Sequence, residues 1–239
     1  MLMAKKQLQQ ASQYQILISA QDFNDTLQNR DVILADYALQ EKVLLQIFQQ
    51  YPNNTNLSEV LLKVTMLNSF YSTGIMDVKT VVQHIYDLAN NKGIDARIKS
   101  GDPTVVAEIA NVNHGGKVIC HLSFASKYCS FHNPSVYPIY DSIVWNVFTT
   151  LKKRGFFAVN TAFSVDGIKR DFSKYIAIYD EFIQLSGIGG IVPMPNYKEV
   201  DRYLWGSQKI KSLPSNVSSV VANPKEYQQI INNVINKTI

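Results

Sequence analysis

The sequence predicts an all-α protein, on three observations. Apolar residues recur at spacings of three and four along most of its length. Capping signals punctuate those runs: Asp77 before Val78, Asp102-Pro103 before Val106, Asp141 before Ile143, and Asn196 before Val200. With 239 residues, 46% of them hydrophobic, the chain has enough apolar mass for one domain or two intimate subdomains.

Taken in order, Lys6 to about Ser19 reads as a polar first helix, and Asp31 to Phe48 as a strongly amphipathic one stopping before Pro52. Residues 53–56 (Asn-Asn-Thr-Asn) form a loop. Residues 58–72 follow as a helix, nearly apolar on all sides through Met66 and Leu67, and therefore central and buried. Its end, Asn68-Ser69-Phe70-Tyr71-Ser72-Thr73-Gly74, turns abruptly polar. Asp77 to Asn90 is a helix with Val78, Val81, Val82, Ile85, Leu88 and Ala89 inward. Asp102-Pro103 starts another, carrying Val106, Ile109 and Ala110, and Gly115-Gly116-Lys117 then marks a turn.

Residues 121–132 place Leu122, Ala125 and Cys129 on one helical face. Asn133-Pro134 stops that helix, and Tyr137-Pro138-Ile139-Tyr140 must run extended. Asp141 then caps a helix with Ile143, Val144, Val147, Phe148 and Leu151 on its apolar side, its carboxylate facing free amides and the positive end of the helix dipole. Beyond lie the basic clusters Lys152-Lys153-Arg154 and Lys169-Arg170, an aromatic-rich helix over 171–186, a turn-rich Gly187 to Gly190, a short helix after Asn196, a linker over 212–219 and a last helix over 224–236.

Composition excludes several function classes. No apolar run approaches the roughly 18 residues of a membrane span, and the N-terminus lacks the apolar core of a signal peptide, so no membrane partner and a cytoplasmic location are expected. Two cysteines, Cys120 and Cys129, fit a reducing compartment and are too few for a four-cysteine cluster; no metal centre or cofactor is expected. The net charge of +4 and pI near 8.9 are compatible with a phosphate-bearing partner without requiring one.

The densest polar chemistry lies between His121 and Phe148. A helix, a short extended turn ending in Pro138-Ile139-Tyr140-Asp141, and a second helix resemble the core of the helix-hairpin-helix DNA glycosylases, whose aspartate at this cap is the catalytic carboxylate. The resemblance covers roughly residues 57–150. It implies two interlocked helical subdomains with a DNA-binding groove between them: 57–150 as one, 1–56 with 151–239 as the other. It implies duplex DNA as partner and makes Asp141 the catalytic residue, stabilising the positive charge that develops on the sugar as a flipped-out base departs. The alternative for Asp141 is capping alone.

In strand-nicking members a lysine nucleophile stands 18 residues before the aspartate; here that position is Ser123, as in members that use water. Lys127, one turn on, is an alternative amine, displaced by about 5.4 Å. The iron–sulfur cluster that some members carry near the C-terminus cannot form, since no cysteine follows Cys129. By the same resemblance Asn68 or Ser69 lies beside the groove, and Tyr71, Tyr128, Phe131 and Tyr140 are candidates to stack on the base, with His132 and Asn133 as further contacts. Gly115, Gly116 and Lys117 stand for the family's phosphate-binding hairpin, in altered order. Lys152, Lys153 and Arg154 are further phosphate contacts. Each also has a plain structural reading: Asn68 and Ser69 end a helix, the glycines make a turn, His132 caps carbonyls, and the basic runs are solvated helix ends. The expected activity is monofunctional N-glycosidic hydrolysis of a damaged, mismatched or modified base. The alternatives are a glycosylase-like module that binds DNA or protein without catalysis, and an unrelated all-α protein.

Overall fold

The structure, a computed structural model, describes residues 15–158 and 160–211. Eleven α-helices dominate it: α1 (Ala20–Ile33), α2 (Ala35–Gln50), α3 (Leu57–Tyr71), α4 (Val78–Lys92), α5 (Ile94–Ser100), α6 (Thr104–Ala110), α7 (Leu122–His132), α8 (Ser142–Lys153), α9 (Val165–Arg170), α10 (Ser173–Leu185) and α11 (Tyr197–Lys211). No helix among the described residues is long and apolar enough to cross a membrane.

Three boundaries differ from the sequence expectation. Residues 15–19 are not helical, and Ser19 instead caps α1 by accepting from the Asp22 amide at 3.1 Å. The run from Asp31 to Phe48 is split at Leu34, which leaves the helical region (φ −110°, ψ 45°) while its side chain is buried between α1 and α2. Helix α11 is longer than expected, fifteen residues. The proposed linker and last helix lie outside the described residues.

The largest departure is at residues 111–120. In place of an interhelical turn, β1 (Asn111–His114) and β2 (Lys117–Cys120) pair antiparallel, with His114 opposite Lys117 and Gly115-Gly116 as the two-residue tip. Both glycines have positive φ, +61° and +95°, as the tightest hairpin turns require. Val112 is buried while the outer strand is exposed, so the ribbon lies one face down on α4 and α6.

Helix α7 is the pivot. Every residue from Phe124 to Phe131 is buried, and the helix packs against α2, α3 and α6. Around the other side, Phe148 of α8 meets Tyr179 and Phe182 of α10 at centroid distances of 5.1 and 5.3 Å, and α11 lies on α1 and α8. The N-terminal helices, α7 and α11 therefore converge where α8 begins.

Candidate active site

The segment that delivers Asp141 is fixed along its length. The Tyr137 hydroxyl donates to the Asp102 carbonyl at 3.0 Å, the Tyr140 amide donates to Ser126 Oγ on α7 at 2.9 Å, and the Tyr175 hydroxyl of α10 donates to the Ile139 carbonyl at 2.9 Å. Held this way, Asp141 divides its carboxylate between two tasks. Oδ1 accepts from the Ile143 amide at 2.8 Å and caps α8; Oδ2 faces the Lys127 ammonium at 3.5 Å.

Lys127 is buried, its side chain 3% exposed. A helical side chain leans toward the N-terminus of its helix. That of Lys127 spans the turn back to Ser123, whose hydroxyl lies 2.8 Å from Nζ. The amine thus occupies the neighbourhood of residue 123 although its backbone is one turn away. Burial pushes the Lys127 amine below the ordinary lysine range, against the opposing pull of Asp141 and Asp201. The ring of Tyr71, at the end of α3, lies 5.6 Å from the same nitrogen.

Asp141, Lys127 and Tyr71 line a cavity with Ile139, and helices outside the 57–150 segment close it: Arg30, Tyr37, Gln40 and Glu41 from α1 and α2, and Asp201, Arg202 and Trp205 from α11. The free space is about 20 Å³, room for one water. Behind this wall Glu41 accepts two cations at 2.9 Å, Arg30 and Lys198, and a third, Arg202, at 3.3 Å. Burial alone would raise the Glu41 carboxyl, but the three cations outweigh it and hold the group below its usual range. Lys198 also sits 4.1 Å from the Phe131 ring, and Asp31 joins the network through Arg202 at 2.6 Å.

Of the residues singled out in the sequence, the structure gathers Asp141, Lys127, Ser123 and Tyr71. Tyr140 adjoins Asp141 but turns its ring onto Trp145 and Tyr175. Tyr128 is fully buried and donates to Asn54 Oδ1, far from a stacking role. Phe131 backs Lys198 and Tyr71 from within the core. His132 packs on Phe48 and Tyr128, burial pushing its imidazole well below the ordinary range, and Asn133 reaches the Ile98 and Lys99 carbonyls. Asn68 uses its whole amide to clamp the turn after α3, accepting from Thr73 and the Ile75 amide and donating to the Ile75 carbonyl; Ser69 is exposed. Gly115, Gly116 and Lys117 sit at the ribbon tip and do not line the cavity. Lys152, Lys153 and Arg154 close the far end of α8, about 18 Å along its axis from Asp141.

Arg30, Glu41, Asp201, Arg202 and Trp205 escaped sequence reasoning. Their signal was positional: Lys198, Asp201, Arg202 and Trp205 recur at three and four on α11, as Tyr37, Gln40 and Glu41 do on α2. Such stripes otherwise read as solvated faces.

Fold and site together define a predominantly helical protein with a lysine–aspartate pair enclosed where the N-terminal helices and α11 meet α7 and α8. Residues 13–136 match the family HI_0787_N, described as an N-terminal domain, and the chain belongs to this family. The match takes in Arg30, Glu41, Tyr71 and Lys127 and ends before Asp141. An uncharacterized protein of Haemophilus influenzae is 36% identical over 155 residues, which cover 64% of this chain and 68% of that protein. No solved structure matches significantly.

Proposed function

We propose that the chain is a DNA N-glycosylase that excises a base flipped out of duplex DNA, with Asp141 and Lys127 as its catalytic pair. The observation that carries this reading is that Lys127 Nζ lies 2.8 Å from Ser123 Oγ and 3.5 Å from Asp141 Oδ2 in an enclosed site. The sequence position expected for the family's lysine holds Ser123, but the amine of Lys127 reaches it. The reading therefore moves from water to an amine as nucleophile.

In this scheme the Lys127 ammonium, its proton affinity lowered by burial, first gives up a proton to solvent, and the free amine attacks C1′ of the sugar. The bond from C1′ to the base nitrogen breaks, and its electron pair leaves with the base. The Asp141 carboxylate stabilises the positive charge on the sugar in between. The attached nitrogen then sheds its proton and the sugar ring opens, giving an imine between Lys127 and C1′. Because the cavity holds only about one water, a base enters by displacing side chains of α1, α2 and α11.

The test is base release from duplexes carrying oxidised, deaminated, alkylated or mismatched bases, with borohydride added to capture the imine. Native protein should release a base and become cross-linked to DNA. Lys127→Met should abolish the cross-link, and Asp141→Asn should lower release by at least about 100-fold. The small cavity favours a second reading, a glycosylase-like module that binds duplex DNA without chemistry. Tight, steeply salt-dependent duplex binding with no release and no cross-link would select it.

A further inference from the structure

Resting on that reading of the site, we infer that Asp201 is the proton donor to the departing base, and that the substrate is accordingly a base with a lone-pair ring nitrogen that leaves only when protonated. The cavity holds carboxyl groups in contrasting surroundings. Asp141 has the Lys127 ammonium at 3.5 Å, and Glu41 has three cations within 3.3 Å. Asp201 faces the same cavity, is only 8% exposed, and among the described residues makes no ion pair; its one hydrogen-bond partner is the Tyr179 hydroxyl at 3.5 Å. A buried carboxyl with no cation within ion-pair distance favours the proton-bearing form, whereas one in contact with a cation favours the anion.

The charged and titratable groups around Asp201 come from every wall: Lys198 and Arg202 on its own helix, Arg30 from α1, Lys127 from α7, Asp141 at the cap of α8, Glu41 from α2, Tyr71 from α3, and Tyr175 and Tyr179 from α10. Burial outweighs the attraction of Lys198 and Lys127 and, with the repulsion of Asp141 and Glu41, pushes the Asp201 carboxyl up to about 7. Trp205, one turn along α11, lines the same wall.

The step balances. As the C1′–N bond breaks toward the base, the Asp201 proton passes to a ring nitrogen of the base, the base departs neutral, and Asp201 is left as a carboxylate. Solvent returns its proton once the cavity reopens. Bases that are stable as anions gain little from such a donor.

The experiment compares native protein with Asp201→Asn and Asp201→Glu, on the lesion duplexes and on a duplex with a preformed abasic site. Native protein should release a base at a rate that falls as pH rises through about 7. Asp201→Asn should lower that rate about 100-fold or more and remove the alkaline decline, and Asp201→Glu should recover part of both. Borohydride trapping on the abasic duplex, which has no base to protonate, should persist in all three. Asp201→Asn releasing base at the native rate with the same pH profile would overturn the inference. Native protein that traps on abasic DNA but releases no base would overturn it too, leaving the Lys127 chemistry standing. Native protein that does neither overturns the glycosylase reading along with it.

Discussion

Asp201 should make the stability of the protein depend on pH in a direction opposite to most carboxylates. Its carboxyl titrates near 3.8 in an open chain and at about 7 when buried. Well below pH 3.8 both folded and unfolded states carry the proton, and the folded state has its full advantage. As pH rises, the unfolded chain gives up the proton while the buried group keeps it, so stability declines until the folded carboxyl also ionises near pH 7. The gap of roughly three pH units, at ~1.4 kcal/mol each, amounts to about 4 kcal/mol. About 3 kcal/mol of this falls between pH 5 and pH 8. Asp201→Asn removes the titration and leaves any packing cost of the amide the same at every pH. Thermal unfolding followed by circular dichroism at pH 5 and pH 8 should therefore show the variant gaining on the native protein by roughly 6–12 °C, at ~2–4 °C per kcal/mol for a chain of this size. Melting differences that agree within ~1 °C at the two pH values would refute the claim that burial, rather than pairing, governs this group.

Three other substitutions probe the frame around the site. Glu41→Gln strands Arg30, Lys198 and Arg202 without their shared anion and should cost about 3–5 kcal/mol by denaturant unfolding; the native contribution of Glu41 is present above about pH 4.5 and is lost as pH falls through its depressed folded value. Lys63, fully buried, donates to the Tyr51 and Asn53 carbonyls and Asn54 Oδ1 at 2.7–2.9 Å, so Lys63→Met should cost about 2–4 kcal/mol and expose residues 51–54 to faster amide exchange. A Cβ at Gly206 would stand 2.8 Å from Arg30 Cγ, so Gly206→Ala should displace Arg30 from Glu41 and cost about 1–3 kcal/mol, read as a lowered melting temperature.

Proton affinity and packing meet in these predictions because α11 supplies both. Its Val200 and Leu204 bury an apolar edge, while Lys198, Asp201 and Arg202 turn charge into the protein toward α2, α1 and α7. Gly206 lets Arg30 lie against the helix closely enough to reach Glu41.

The helical class, most helix boundaries and the Asp141 cap were legible in the order of residues alone. These depend on local physics: apolar spacing, a side-chain oxygen before a run of free amides, proline and glycine where the chain must turn. It could not distinguish a two-residue β-turn from an interhelical one at Gly115-Gly116, because both need positive φ and only the pairing of Asn111–His114 with Lys117–Cys120 decides. It misplaced the reach of Lys127, because spacing counts backbone positions while a four-carbon side chain spans a helical turn. Tyr128, Phe131 and Asn68 were legible as aromatic or polar, but whether they faced a cavity or the core depended on α2, α11 and the turn after α3. Above all, only tertiary structure brought Asp201, Glu41 and Arg30 to Lys127 and Asp141. Charged residues at helical spacing look the same whether they meet water or one another, and burial is a property of the neighbours that arrive from elsewhere in the chain.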